Sequence, residues 1–153
     1  MTSLGLLDSL AQELTPVAED MGFCVFRQFI PPKKRDDEPF QNYVLVSLGD
    51  GSQEEDGAVQ QVVITFGAED RPLSGRKVFS TGAEDYQGYR DVVNMMEKVR
   101  QHLLRHRTID GKYEMRMPVQ WVYPESEENY PFYFGGLLLN FSVPGMTEEL
   151  PYI

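Results

Sequence analysis

Apolar residues recur at two different spacings along this chain, and the order of these spacings restricts the fold more than any other feature. Between residues 4 and 21, and again between 86 and 106, they fall three or four positions apart, which is the period of one helix face. Elsewhere they alternate or form short β-branched runs, as strands do. The order helix, strands, helix, strands predicts an α+β fold with a mostly antiparallel β-sheet and two main helices packed on it.

The ends of these elements carry their own signals. The first helix starts near Leu4 and contains Pro16, which has no backbone amide to donate. We therefore expect a kink at Pro16 or an end near Thr15, with Gly22 as the stop signal. The second helix covers residues 86–106, with acids near its start and bases near its end. Strands are predicted at residues 22–30, 42–48, 58–66, 112–123 and 132–144.

The segments between the predicted elements are rich in turn residues and charge. We expect the strands at 42–48 and 58–66 to pair as a hairpin across an acidic loop. Gly135 and Gly136 are expected to mark a bulge or bend in the last strand. Residues 67–85 contain three glycines and are predicted to form a protruding arm. Residues 145–153 are predicted to be a loose tail, and the length of 153 residues fits one domain.

The charge and the apolar content exclude several classes of partner. A formal net charge of −10 opposes sustained binding to phosphates, which needs clustered Lys and Arg. A channel through which DNA slides would, however, also avoid cations. No apolar run approaches the roughly 20 residues that span a bilayer, and the first residues lack the basic region of a signal peptide. We therefore expect no membrane contact. Cys24, the only cysteine, lies between apolar neighbours and is interpreted as a buried, inert thiol.

No arrangement of residues typical of catalysis is found in the sequence. His102 and His106 are one helical turn apart, a spacing that can hold a metal, but the sequence places no third ligand beside them. Their position at the basic end of a helix also explains them. The clustered carboxylates lie in segments expected to be exposed, whereas a catalytic pair needs one carboxyl in an apolar pocket. We expect no enzyme activity, no catalytic residues, no cofactor and no metal.

An acidic bend followed by an aromatic strand is the most unusual stretch of the chain. Residues 123–136 read YPESEENYPFYFGG, with three acids between two prolines and four aromatic residues directly after them. Trp121 and Phe134 are predicted to be core residues, whereas Tyr130 and Tyr133 are predicted to serve an interface. An acidic bend beside such an interface would guide register and deter wrong partners.

The order of the motifs in residues 88–144 resembles the second half of the tail-terminator, or tail-completion, proteins of long-tailed bacteriophages. The shared pattern is a helix that starts with Gly-Tyr-Arg-Asp, then the strand and acidic bend MPVQWVYPESEENYP, then the aromatic strand FYFGGLLLNFSVP. Upstream, PVAEDMGF and the acidic hairpin fit the family's first half more loosely. The segment SGRKVFSTGAEDYQ matches no part of this pattern.

The resemblance implies a structural protein of a phage or prophage. Such proteins form a ring, usually a hexamer, on the head-proximal end of the tail tube, where they stop tube growth and dock to the head connector. The implied partners are further copies of the chain, the tail tube protein and the head-tail connector proteins, while DNA passes without specific binding. The implied locations are the host bacterial cytoplasm during assembly and then the neck of the virion.

Two sets of residues are the expected contact sites. Contacts with a neighbouring subunit or partner are predicted at Tyr123, Glu125, Glu127, Glu128, Tyr130, Phe132 and Tyr133. The acidic loop either lines the lumen or is a solvated loop that keeps the chain soluble, and its candidate residues are Asp50, Glu54, Glu55 and Asp56. The alternatives are another neck component, such as a head-completion or stopper protein, or a small-ligand or metal-binding module built on the two histidines.

Overall fold

The computed structural model of the chain describes residues 2–32, 35, 37–70, 86–125 and 131–144. The elements in this part are α1 Ser3–Asp20, β1 Cys24–Arg27, β2 Tyr43–Glu54, β3 Gly57–Glu69, α2 Gln87–Arg105, β4 Thr108–Ile109, β5 Tyr113–Val122 and β6 Phe132–Pro144. The strands form one curled sheet in the order β1-β2-β3-β6-β5-β4. The described pairings are antiparallel except that between β1 and β2. The predicted α+β fold, in a single compact domain, is confirmed.

Local signals at both ends of α1 fix its length. The Thr2 side chain caps the helix by accepting a hydrogen bond from the Gly5 amide at 2.9 Å. The helix continues through Pro16, so an end near Thr15 is wrong. Gly22 adopts a φ of +79°, which favours glycine, and it stops the helix as predicted.

The hairpin of β2 and β3 is confirmed, but its strands are longer than the sequence indicates. The strand β2 continues to Glu54, with a register shift against β3 between Leu48 and Gly51. Asp50 and Glu54 therefore lie on a strand rather than in a loop, and the turn itself contains only Glu55 and Asp56.

The core lies between one face of the sheet and both helices. Alternate residues of β2, β3 and β6 point toward the helices and are buried, as illustrated by the cross-strand row of Val46, Ile64 and Leu137. Six residues of α1 and six of α2 are buried against this face. Burial of this one face by an amphipathic stripe on each helix is the main source of stability expected for such a layered fold.

Gly135 has a packing role rather than the predicted one. The pairing of β3 with β6 runs without a register shift from Gly57 to Glu69, so no bulge is present at Gly135 or Gly136. A Cβ at Gly135 would lie 2.5 Å from the Met96 Sδ, because α2 crosses the sheet at this point. The glycine therefore permits the close approach of helix and strand.

No described helix covers the opposite face of the sheet, which we call the open face. Its central rows contain Leu45, Val63 and Leu138, all half-buried, and the exposed Phe134 and Val122. The loop between β1 and β2 covers one end of this face, since the Phe40 ring lies 5.0 Å from the Phe132 ring between centroids. The predicted arm at 67–85 falls outside the described residues from Arg71 onward, as does the whole tail at 145–153.

Candidate functional site

The aromatic stretch is divided between the core and the surface, and not as the sequence suggests. Tyr133 is only 3% exposed and packs edge-to-face against Tyr86 and Tyr89, with ring centroids 6.5 and 6.1 Å away. Its predicted place in an interface is wrong, because the side chain points toward α2. Phe132 is half-buried against the Phe40 ring.

Trp121 and Phe134 are exposed, at 44% and 39%, so their prediction as core residues is wrong. Trp121 is paired with Leu137 and therefore faces the helix side of the sheet, but it lies beyond the edge of α2. The Arg100 guanidinium covers it instead, 4.3 Å from the ring centroid, in a cation–π contact. Phe134 points to the open face.

The acidic bend is described only in part. Tyr123 is half-buried and its hydroxyl donates to the Glu97 Oε1 at 3.5 Å, while Glu125 is exposed. The other candidates, Glu127, Glu128 and Tyr130, lie outside the described residues.

Two small residues, Gly136 and Thr65, lie side by side at the centre of the open face. Gly136 is paired with Thr65 on one side and with Val122 on the other, and Val122 is 47% exposed. Val122 and Met117, which is 58% exposed, are not among the contact residues predicted from the sequence. The sequence contains a signal for this exposure, since Pro118 interrupts β5 and the register against β6 shifts between Arg116 and Gln120, on either side of it.

An apolar cavity of about 450 Å³ lies at the end of the open face, beneath the loop between β1 and β2. Phe26, Ile30, Phe40, Tyr43 and Phe134 are among the residues that line it. Burial raises the pKa of the Tyr43 phenol above its ordinary value. The lining supplies apolar contact area and few polar groups, a composition suited to an apolar side chain or a small apolar ligand.

The acidic end of the hairpin forms a second, polar surface. Asp50, Glu54, Glu55 and Asp56 are all exposed. The Arg116 Nη1 lies 3.7 Å from the Glu54 Oε2, across a polar concavity of about 320 Å³. Both side chains of this pair are about half exposed, so their attraction contributes little stability.

The two histidines pack against each other at the end of α2, and one of them contacts α1. The His102 Nε2 lies 2.7 Å from the Glu13 Oε2, which joins α2 to α1, and the His106 ring lies 4.7 Å from the His102 ring. The described residues contain no group of three metal-ligating side chains. Cys24 is half-buried rather than buried, and its thiol lies 3.1 Å from the Gln41 Oε1.

Comparisons with known proteins add no relative to these observations. No model of a known protein family matches the chain, and none of the curated proteins matches it. Neither helix of the described part combines the length and the apolar content needed to cross a membrane.

Proposed function

We propose that this chain is the subunit of a phage tail terminator, a ring that caps the head-proximal end of the tail tube and docks to the head connector. The observation that carries the proposal is the group of large apolar side chains left exposed on β5 and β6: Phe134 and Val122 on the open face, and Trp121 on the helix side. The motif order in residues 88–144 supports the same function.

An exposed apolar surface of this kind needs a protein partner rather than DNA. Aromatic side chains are enriched in the cores of protein interfaces, which bury roughly 800 Å² per partner, whereas nucleic acid is met by cations. The acidic hairpin end and the net charge of −10 repel phosphates, which suits a bore that DNA crosses without binding. The apolar part of the molecule therefore faces neighbouring chains.

The proposed role is structural rather than catalytic. The carboxylates of the hairpin are exposed, whereas general acid–base catalysis depends on carboxyl groups held in contrasting environments. The His102 ring, which would be the obvious proton carrier, is engaged with Glu13.

The direct test is assembly of the tail tube protein in the presence of this chain. Wild-type protein is expected to give short tubes with a density cap at one end in electron micrographs. The double variant Phe134→Asp with Val122→Asp is expected to leave tubes uncapped, because it places carboxylates in the proposed contact. The matched control is Leu4→Asp, since Leu4 is 62% exposed on α1, away from the open face. Tubes that elongate regardless of wild-type protein would refute the proposal.

A head-completion or stopper protein is the nearest alternative, because it would use the same exposed apolar surface. The two functions separate in a binding experiment with the purified tube protein and the purified connector. A terminator binds the tube end, whereas a stopper binds the connector alone.

The apolar cavity supports a second candidate function, that of a small-ligand module. Its volume falls within the roughly 300–1,000 Å³ range of ligand pockets. This function predicts that an apolar dye or fatty acid raises the melting temperature, and that Phe40→Trp abolishes the rise by filling the cavity.

A further inference from the structure

The outer edge of β5 is covered over only part of its length. β4 pairs with Tyr113 and Glu114 at the start of the strand, and no described strand pairs with the outer side of the remainder. Pro118 has no amide to donate, and the pairing of β5 with β6 becomes regular again at Gln120. Residues 120–122 are therefore a regular strand segment with an unpaired outer edge in the described structure.

The outer edge of β2, on the other side of the sheet, is also covered over only part of its length. β1 pairs with β2 from Tyr43 to Val46, and the Leu48 amide donates to the Gln28 Oε1 at 3.1 Å. Beyond this point no described strand lies outside β2. Its pairing with β3 is regular again across residues 51–54, so these residues form a second free segment of similar length.

The two free segments lie at opposite ends of the sheet and run in opposite directions. The free part of β2 is at the hairpin end, where β3 begins at Gly57 and β6 ends at Pro144. The free part of β5 is at the other end, where Val122 pairs with Gly136. β1 thus covers only the start of β2, and β4 covers only the start of β5, so each edge of the sheet has one covered and one free part. A second copy, shifted along the strands, could add its β2 antiparallel to β5 without meeting β1 or β4 of its neighbour.

The chemistry around the two segments is complementary. On the β5 side, Arg100 covers Trp121, and Leu104 on α2 is 42% exposed. Arg107 lies directly before β4, and its Nη2 donates to the Met115 carbonyl oxygen. Residues 98–116 contain six Lys and Arg against two acids, a net charge of +4. Residues 49–57 contain four acids and no base, a net charge of −4. In a chain with a net charge of −10, the first of these segments is where an acidic strand would be attracted.

We propose that residues 51–54 of one copy pair antiparallel with residues 120–122 of the next, with Trp121 as the central anchor. Main-chain hydrogen bonds would supply affinity, as in other cases of strand addition, and the charges would set the register. The contact joins two different surfaces, so repetition produces a ring if the rotation closes. Because each step shifts the copy along the strands, closure requires the strands to tilt against the ring axis, as in a barrel. This inference rests on the proposed ring.

Charge reversal on each side, followed by mixing, tests the pairing in the full-length chain. One variant is Asp50→Lys with Glu55→Lys, and the other is Arg100→Glu with Arg107→Glu. Each alone places like charges across the contact and is expected to weaken self-association by roughly a hundredfold in sedimentation velocity. An equal mixture is expected to restore it, since each reversed surface then meets one of opposite charge. The matched control, Glu19→Lys with Asp20→Lys, makes the same charge change on the exposed end of α1 and is expected to assemble normally.

The outcomes separate this inference from the proposed function. If the arginine variant fails to fold by circular dichroism, Leu104→Glu replaces it, because that side chain is exposed. Wild-type protein that stays monomeric, variants that assemble normally, or folded variants whose mixture stays monomeric would each overturn the pairing. Variants that assemble and still cap tail tubes would remove the pairing and leave the terminator function in place. Wild-type rings that pair as proposed but leave tubes uncapped would remove the terminator function and leave the pairing in place.

Discussion

Two adjacent glycines in β6 provide a sharp test of which sheet face is covered. Gly135 points to α2, where a Cβ would lie 2.5 Å from the Met96 Sδ and 3.0 Å from the Val122 carbonyl oxygen. Gly136 points to the open face, where the nearest atom to a Cβ is the Ile64 carbonyl oxygen at 3.4 Å, an ordinary contact. Alanine at the two positions therefore makes the same chemical change on opposite faces.

The magnitudes follow from these distances. Alanine at either position reduces the freedom of the unfolded chain, which favours folding by about 0.5–1 kcal/mol. At Gly135 the overpacking costs about 1–3 kcal/mol, because the Val122 carbonyl is backbone and cannot rotate away as the Met96 side chain can. We expect Gly135→Ala to lower the free energy of unfolding by about 1–2 kcal/mol. We expect Gly136→Ala to leave it unchanged or to raise it by up to about 1 kcal/mol.

Urea unfolding of the two variants and the wild type, followed by circular dichroism, measures this difference. For a chain of this size, each kcal/mol corresponds to roughly 2–4 °C in melting temperature, which gives a second readout. Equal midpoints for the two variants would refute the placement of α2 over Gly135. A large loss in Gly136→Ala would show that the open face is covered in the free chain.

Three further predictions concern single side chains. Thr2→Ala removes the cap that Thr2 gives Gly5 and is expected to cost about 1 kcal/mol in urea unfolding, whereas Thr2→Ser is expected to retain most of it. Burial raises the pKa of Tyr43, so the neutral phenol contributes stability that is fully present below the ordinary pKa of 10.0. This contribution is lost as the pH rises through the raised pKa. Wild-type protein should therefore lose stability in this alkaline range by a term that Tyr43→Phe lacks, as measured by urea midpoints against pH. Trp121 is the only tryptophan and is 44% exposed, so acrylamide should quench its fluorescence in the monomer and quench it less after assembly.

The periodic elements could be predicted from the sequence because their patterns reflect burial on one face. The stripe of α2 specifies both element type and buried side, and the structure agrees with both. For β6 the strand is confirmed, but the faces predicted for Tyr133 and Phe134 are wrong. The predicted hairpin strands are too short, because Asp50 and Glu54 resemble loop residues, although Glu54 pairs with Gly57 and Asp50 lies in the register shift of the same strand. The polar residues at the end of β2 indicate that the segment is exposed, but they do not indicate whether its backbone is hydrogen-bonded in the sheet.

The surface could not be predicted in the same way, because exposure depends on where the helices stop. Tyr133 and Phe134 are adjacent and chemically alike, but they point to opposite faces of the sheet, so the face on which α2 packs decides which one is covered. Trp121 faces the helix side and is still exposed, because the Arg100 guanidinium rather than an apolar face of α2 covers its ring. The alternation in a single sequence indicates which residues of a strand share a face, but it does not show how far the helices extend over that face.

The sequence allows two roles for the acidic hairpin end, which either lines the lumen or is a solvated loop that keeps the chain soluble. A loop that lines the lumen needs only negative charge, and any backbone conformation could expose that charge to the DNA. Here only Glu54 lies on the segment whose outer edge is regular across residues 51–54, and it already reaches Arg116 of its own chain. Asp50 lies in the register shift before this segment, and Glu55 and Asp56 form the turn after it. An exposed regular edge is a hazard for aggregation unless it is blocked or used, and charge on it restricts which strands can join. The combination of an intact edge with four acids therefore favours selective pairing with a basic partner over simple solvation.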